Sequence, residues 1–326
     1  MRHHVLTVVF LLLLSGLGLP ASADATPRGL PAFSPDDPDT PHQQARMDTV
    51  TLSVEMVGGP FDSAHTLTDG FDGDLLVSDA NAGRIKRYRI PAGYRQSGHE
   101  CPGAGPEIGV DRGASAGLVE TIELSIFDRP EAMANAAETF LAVVGSAERQ
   151  VHLLDETMAY VRSLAVPAWA AGEAPFTPED VTSNTIGELF VLDADNKRIY
   201  HFNANGSFLQ YFPIDGLDRP SALMYADESL FIADKGGGRV HVITDGGHEL
   251  AVIGTFPHLG RVRVIDRNIW VLSGGVIHRF NMSGEHLGNW APDIAGKPLR
   301  DLAVIGGNLF LLTSGSLYFS GSIETP

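Results

Sequence analysis

The most regular feature of the chain is a succession of short apolar segments that are separated by turn-forming residues. Residues 187–212 show it clearly, because the segments ELFVLD, RIYHF and FLQYF are divided by DN and by NANG. Short runs of this kind predict β-strands, and Asn-Gly sequences are typical of tight hairpin turns. No stretch of ordinary helix length has a convincing helical period. The pattern therefore predicts an all-β chain.

The first two of these strands recur along the chain at intervals of roughly 40 residues. Further copies lie at 73–88, 138–154, 228–243, 267–280 and 307–319, of which 138–154 is the most degenerate. A repeat of about this length that holds several short strands is the signature of a β-propeller, in which each copy forms one four-stranded blade. Six copies predict a six-bladed β-propeller over residues 49–320.

Residues 49–57, TVTLSVEMV, alternate between apolar and polar side chains as a half-buried strand does. This segment has no hairpin partner beside it in the sequence. The last copy, in turn, stops near Phe319 without an outer strand. We therefore expect the N-terminal strand to complete the last blade, which closes the ring and leaves no open sheet edge.

The remaining segments lie outside the repeats. Residues 1–23 have a charged start, a short apolar run and an Ala-Ser-Ala cleavage site, which predicts a secretory signal and a secreted or periplasmic protein without membrane insertion after signal removal. Residues 24–48 resemble a flexible leader rich in Pro and Asp, and 321–326 a C-terminal tail. Residues 91–117 are expected to form a loop inserted in blade one, a candidate recognition element. This loop holds Cys101, the only cysteine, so no intramolecular disulfide can form.

The formal net charge of −17 restricts the classes of partner that can be expected. A strongly acidic surface repels nucleic-acid phosphates and anionic lipids, so nucleic acid is not expected as a partner. Hydrophobic residues make up 44% of the chain, which is sufficient for a large core.

The repeat itself resembles a known one. A proline, a short inner strand, G-x-(L/I)-(F/Y)-V-x-D, then R-I-x-x-F and N-x-x-G-x-x-L are similar to the NHL repeat, and Pro178–Leu209 and Pro220–Leu250 are the best copies. The resemblance implies a six-bladed propeller. It also implies a range of functions, since such propellers include protein- and RNA-binding modules, a peptide-amidating lyase with calcium and zinc, and lactonase- or lyase-like enzymes.

Candidate chemistry is expected at the channel, where ligands of propellers usually meet the face at which the inner strands begin. The residues just after those starts that could bind a ligand are His65, Glu131, Glu179, Asp180, Ser221, Arg261, Arg300 and Asp301.

Three interpretations of this ring remain open. Carboxylates that converge would suit a hard cation such as calcium, which takes six to eight oxygen ligands; the candidates are Glu131, Glu179, Asp180 and Asp301. Alternatively, Arg261 and Arg300 could clamp a carboxylate ligand. A third interpretation is a satisfied ionic belt that plugs the channel. His65 is the candidate base or ligand.

Other recurring polar residues are expected to be structural. Asp79, Asp193 and Asp234 each end a strand before a tight turn, where an aspartate can accept backbone N–H groups. Three histidines share one slot on third strands far from the axis, so they should not converge on zinc: His152, His241 and His278.

The chain has no G-x-S-x-G, H-E-x-x-H or zinc-type cysteine pair. The sequence therefore favours an exported propeller that binds a protein, peptide or glycan partner through its channel face and loops. The alternative is a metal-dependent lyase or lactonase-like enzyme with a cation in the channel.

Overall fold

The computed structural model describes residues 49–71, 73–90, 117–123, 127–172, 174–305 and 307–322. These residues form strands and turns without any helix, and the strands assemble into six small sheets. The sheets are arranged in a ring, so the protein is an all-β, six-bladed β-propeller, as predicted. No helix in the described ranges is long and apolar enough to cross a membrane.

Each blade is a meander of antiparallel strands that runs outward from the axis. Blade one contains β3 (Ala64–Asp69), β4 (Leu75–Asp79), β5 (Arg84–Arg89) and β6 (Gly117–Glu123). Blade two contains β7 (Pro130–Ala136), β8 (Phe140–Gly145), β9 (Gln150–Leu154) and β10 (Tyr160–Ser163). Blade three contains β11 (Pro178–Ser183), β12 (Leu189–Asp193), β13 (Arg198–Phe202) and β14 (Phe208–Pro213).

The second half of the ring repeats this order. Blade four contains β15 (Pro220–Ala226), β16 (Ser229–Asp234), β17 (Arg239–Thr244) and β18 (Glu249–Ile253). Blade five contains β19 (Leu259–Ile265), β20 (Asn268–Ser273), β21 (Val276–Asn281) and β22 (His286–Pro292). Blade six contains β23 (Leu299–Ile305), β24 (Asn308–Thr313) and β25 (Leu317–Ser322).

The N-terminal segment closes the ring, but only its second half does so. β2 (Glu55–Gly58) pairs antiparallel with β25 and completes blade six, with Met56 opposite Tyr318. β1 (Thr49–Leu52) instead lies parallel to β22 as a fifth strand of blade five. The expectation of one strand over 49–57 is therefore corrected to two strands on neighbouring blades.

The crossing between these two strands has a physical reason. Leu52 and Val54 pack against an apolar cluster between blades five and six, which includes Trp290 and Leu299. Because the apolar side of the segment covers this seam, the chain passes from one blade to the next at that point. Residues 49–57 thus alternate between apolar and polar side chains as predicted, but the segment covers two blade edges rather than one.

The second strand of every blade lies in the interior. β12, for example, is buried at all five positions, and β4 has the same pattern. A strand that is covered on both faces requires a nearly continuous apolar sequence, which explains the LFVLD-like runs of the repeat. Apolar clusters fill the seams between neighbouring blades, so the disc is rigidly packed around its axis.

Several predicted segments fall outside the described residues. These are the signal at 1–23, the leader at 24–48, and Cys101 with nearly all of the 91–117 loop. At the other end of the chain, β25 continues through Ser322, so the predicted tail is shorter by two residues.

Candidate functional site

A bulge at the start of every inner strand organises the channel. In blade three, Pro178 pairs with Asp193 and Asp180 pairs with Leu192, so Glu179 is the extra residue. The same shift occurs at the start of the other five inner strands. A bulge places two residues opposite one and redirects their side chains. Each blade therefore presents one residue towards the mouth of the channel and the next one towards its interior.

The interior residues form a buried network around Asp301, which is fully buried. Its carboxylate accepts hydrogen bonds from Thr66 Oγ1 at 2.8 Å, from the backbone N–H of Leu67 at 2.8 Å and from Arg263 Nε at 2.8 Å. A second hydrogen bond from Arg263 completes a bidentate pair. Asp301 thus links blade six to blade one and to blade five.

Arg261 extends the network across the axis. Its Nη1 atom lies 3.4 Å from Asp180 Oδ2 and 3.7 Å from Asp301 Oδ2, and it donates to Thr66 Oγ1 at 3.3 Å. Asp180 also accepts the backbone N–H of Leu223, at 2.9 Å, and so ties blade three to blade four. Blades three and five are not neighbours in the ring. The guanidinium of Arg261 therefore spans the channel and, together with Arg263, closes it.

The charged side chains of this network form an ionic belt, which consists of Asp180, Asp301, Arg261 and Arg263. Burial by itself raises the pKa of Asp301, but the guanidinium groups of Arg263 and Arg261 outweigh it and hold that pKa below the ordinary value. Burial opposes the charge of Arg263 in the same way, and the carboxylate of Asp301 raises its pKa nonetheless. Asp301 and Arg263 therefore stabilise each other's charged forms. This geometry matches the ionic belt among the three interpretations.

Arg263 is not among the channel residues that the sequence indicated. It lies two positions after Arg261 on β19, and side chains two apart on a strand share a face. The Arg-Val-Arg sequence at 261–263 was therefore a usable signal.

The same contacts bear on the calcium hypothesis, which stays a prediction. Asp180 and Asp301 are held by arginines, while Glu131 pairs with Arg129 at 3.1 Å. In the described ranges, no group of three or more His, Cys, Asp or Glu side chains could hold a metal ion. The four predicted ligands are Glu131, Glu179, Asp180 and Asp301, and they do not form one oxygen cluster because the guanidinium groups take the place of a cation between the aspartates.

The hypothesis that Arg261 and Arg300 together clamp a carboxylate ligand is also modified. Arg261 is committed to the belt, whereas Arg300 is exposed and makes no hydrogen bond or ion pair with another described residue. The two side chains therefore differ in availability. Ser221, on blade four, is buried and donates to the carbonyl of Ala233 at 3.4 Å, so its hydroxyl is directed to its own sheet.

The mouth of the channel carries titratable side chains that influence one another. Burial lowers the pKa of His65, which is further affected by the charges of Glu131 and Arg300. Partial desolvation and the charge of Asp180 raise the pKa of Glu179, although its side chain remains exposed. Lys235 is exposed as well, and desolvation by the surrounding wall and the charge of Arg261 lower its pKa. Lys235, which follows β16, is a rim residue that the repeat alignment did not indicate.

His65 should report this environment in a titration. Its pKa is expected below the ordinary 6.5, in accord with its burial, so the imidazole is neutral at pH 7. Removing a positive neighbour by Arg300→Gln should raise this pKa, while Glu131→Gln should lower it further. The measurement is the pH dependence of the His65 ring resonances in NMR spectra of the wild type and both variants.

The sign of the effect on stability follows from the same shift. Because the folded pKa lies below the unfolded one, the unfolded state binds more protons, and His65 lowers stability as the pH falls below about 6.5. Equal pKa values in the wild type and both variants would show that His65 does not sense the rim charges.

The three histidines that share one position on the third strands lie on separate blades. His152 Nδ1 lies 2.9 Å from Ser163 Oγ, His241 Nδ1 lies 2.9 Å from Glu249 Oε2, and His278 Nδ1 lies 2.8 Å from Asn289 Oδ1. Each of these partners belongs to the outer strand of the same blade. The three imidazoles therefore connect neighbouring strands instead of meeting at one metal ion.

The aspartates at the strand ends stabilise turns. Asp79 Oδ1 accepts the backbone N–H groups of Asp62 and Ser63, each at 2.9 Å. Asp234 binds the backbone before β15 in the same way, and Asp193 accepts the N–H of Asn196 at 3.1 Å in its own turn. These carboxylates hold the loops that lead into the inner strands, so they position the mouth without facing it.

Comparisons with known proteins give the fold. No protein-family model and no curated protein matches the chain, so membership of the NHL-repeat family is not confirmed. Among solved structures, virginiamycin B lyase from Staphylococcus aureus is similar at 12% identity and a TM-score of 0.55, over 80% of both chains. A gluconolactonase from Xanthomonas campestris has 14% identity and a TM-score of 0.57, over 84% of this chain and 95% of that one. The RRP9 WD40 repeats have 9% identity and a TM-score of 0.56, over 82% and 97%.

At such low identities the likeness extends to the architecture alone. Lyase, lactonase and WD40 propellers all share it, and a shared fold does not select a function. The chain is thus a six-bladed β-propeller with structural neighbours among both enzymes and repeat modules of the WD40 kind.

Proposed function

We propose that this chain is an exported binding module that recognises a protein, peptide or glycan partner through the face on which the channel opens. The observation that carries the proposal is the closed channel. Arg261 and Arg263 span the axis and are neutralised by Asp180 and Asp301, so these groups are committed to the structure. A closed channel leaves a shallow, charged rim, which suits a group presented by a partner better than a buried small substrate.

The charge of the rim indicates what that partner presents. Cations outnumber carboxylates around His65 and Lys235. Arg129 and Glu131 pair with each other at 3.1 Å and offset each other. With Arg261 neutralised in the channel, the remaining cations are Arg219, Lys235 and Arg300, and the remaining carboxylate is Glu179. This locally cationic rim lies on a chain of net charge −17. It favours a carboxylate-bearing segment, and the complementary charges would speed its docking.

Charge reversal at the rim tests the proposal. The double variant Lys235→Glu with Arg300→Glu should weaken binding of a fluorescent poly-glutamate peptide by about tenfold or more, because two cations become repulsive. Fluorescence polarisation at low and moderate salt measures the affinity. The control is Arg239→Glu, an exposed arginine on a third strand, which should change the affinity little.

Two results would contradict the proposal. One is a poly-glutamate peptide that binds no more tightly than poly-glutamine. The other is a double variant that retains the affinity of the wild type.

The alternative is a metal-dependent lyase or lactonase-like enzyme with a cation, such as calcium, in the channel. It is favoured by the lyase and gluconolactonase names of the structural neighbours. Metal analysis distinguishes the two. A stoichiometric divalent ion in the purified protein that is lost in Glu179→Ala would support the enzyme, while a metal-free protein with unchanged melting in EDTA would oppose it.

A further inference from the structure

A second concave site lies on the opposite face of the disc, between blades five and six. It is a cavity of about 140 Å³ that is lined by the ends of the inner strands and by the strands beside them. Its wall combines apolar and polar side chains, chiefly Val304, Leu309, Trp270, Arg279, Asn268 and Asp266. The channel mouth is formed by the beginnings of inner strands, so this cavity is independent of the proposed binding face.

Two hydrogen-bond donors at this cavity lack partners. Trp270 is only 5% exposed, and its indole Nε1–H has no acceptor among the described residues. The Nε atom of Arg279 is likewise buried without a partner in the described part of the chain. A buried donor without an acceptor costs free energy, so native proteins rarely leave such donors without a ligand or water.

The two donors belong to one arrangement. Trp270 and Arg279 face each other across the β20–β21 ladder, and the guanidinium carbon lies over the indole ring at 5.0 Å from its centroid. Stacking on the ring fixes the plane of the guanidinium. Desolvation lowers the pKa of Arg279, and the charge of Asp266 partly opposes that shift. Arg279 has no ion-pair partner within 4 Å in the described ranges, and the charge of Asp266, which also lines the cavity, acts on it from farther away.

We propose that this cavity binds a small monocarboxylate. The carboxylate would accept hydrogen bonds from Arg279 and from the indole N–H of Trp270, since guanidinium groups bind carboxylates in bidentate fashion. The alkyl part would lie against Val304 and Leu309 on the wall of blade six.

The size and charge of the cavity restrict the choice of ligand further. A cavity of about 150 Å³ accommodates benzene, so 140 Å³ is sufficient for a short-chain acid such as propionate. Asp266 is exposed at the rim, where its carboxylate would repel a second negative charge. Dicarboxylates such as succinate should therefore bind more weakly than propionate.

The chain offers a direct probe of this site, because it has three tryptophans and hence three indole N–H signals. In ¹⁵N-tryptophan-labelled protein, propionate should shift the Trp270 indole signal in a saturable manner. The signal of Trp169, which is 74% exposed and on blade three's side of the ring, should not move. Propionamide has the same shape without the charge. The affinity obtained from its titration should be at least tenfold weaker than that of propionate.

Two variants assign the contacts. Arg279→Gln should weaken propionate binding by about tenfold or more, and Arg279→Lys should restore only part of it because the fork geometry is lost. Arg267→Gln is the matched control, since this arginine is 76% exposed on the adjoining turn and pairs with Asp227. The Arg279 variants retain the Trp270 signal itself, so a folded protein is verified in the same spectrum.

Three outcomes would overturn the proposal. They are the absence of a saturable Trp270 shift with propionate, an equal response to propionamide, and an unchanged affinity in Arg279→Gln. Each of these would show that the cavity is not a carboxylate site. The rim experiments with poly-glutamate concern the other face, so failure at one site leaves the other result unaffected.

Discussion

Replacement of Asp301 by asparagine is expected to destabilise the protein by about 3–5 kcal/mol, the loss typical of breaking a buried ion pair on one side. Asp301 is fully buried and accepts hydrogen bonds from Thr66, Leu67 and Arg263. An amide cannot neutralise the guanidinium of Arg263, which then remains charged in the interior. Urea unfolding measures the free energy of unfolding of the variant and the wild type.

The matched control is Asp227→Asn, which makes the same chemical change in an exposed ion pair with Arg267. Its side chain is 45% exposed, and pairs of this kind contribute less than about 1 kcal/mol. The double variant Asp301→Leu with Arg263→Met should lose about 1–3 kcal/mol less stability than the sum of the losses in the two single variants, because no unpaired charge remains. Comparable losses in Asp301→Asn and Asp227→Asn would contradict the central role of the belt.

The belt also predicts the direction of a pH effect. The pKa of Asp301 is lower in the folded state, since the attraction of Arg263 and Arg261 exceeds the opposing effect of burial. Its contribution is present above the ordinary pKa of about 3.9 and is lost as the pH falls through the lower, folded value. Acid should therefore destabilise the wild type more steeply than Asp301→Asn in this range.

Substitution of Val57 by aspartate is expected to open the ring. Val57 lies on β2 and packs against the apolar cluster between blades one and six, which contains Tyr88 and Phe310. A carboxylate placed there is without a partner, so we expect a loss of about 2–4 kcal/mol and a partly released β25 edge. Thermal unfolding and light scattering measure the loss of stability and the aggregation that an open edge promotes.

A neighbouring position gives a second test of the same closure. A Cβ atom at Gly58 would lie 2.7 Å from the ring of Tyr88, which is almost completely buried. Gly58→Val should therefore displace β2 by overpacking, at a cost of about 1–3 kcal/mol. Val50→Asp is the control, because Val50 lies on β1 and is 50% exposed. If Val50→Asp is as harmful as Val57→Asp, closure would depend on blade five rather than blade six.

The candidate site could be anticipated only in part. The repeat alignment placed Asp180, Arg261 and Asp301 at one level of the channel, and the structure brings these three together. It could not determine their partners, because Arg261 contacts a blade that lies on the other side of the axis. Lys235 and Arg263 became visible as site residues only through such contacts between blades.

The sequence by itself determined the architecture. The repeat of roughly 40 residues, the turn residues and the continuous apolar runs of the second strands are all visible in the sequence without knowledge of distant contacts. The tertiary structure decided how the ring closes and how its charges pair. The path of 49–58 across two blades depends on the apolar seam that Leu52 and Val54 cover, and the ionic belt depends on which inner strands face one another across the axis. Both are relations between residues far apart in the chain, and a local pattern holds no information about them.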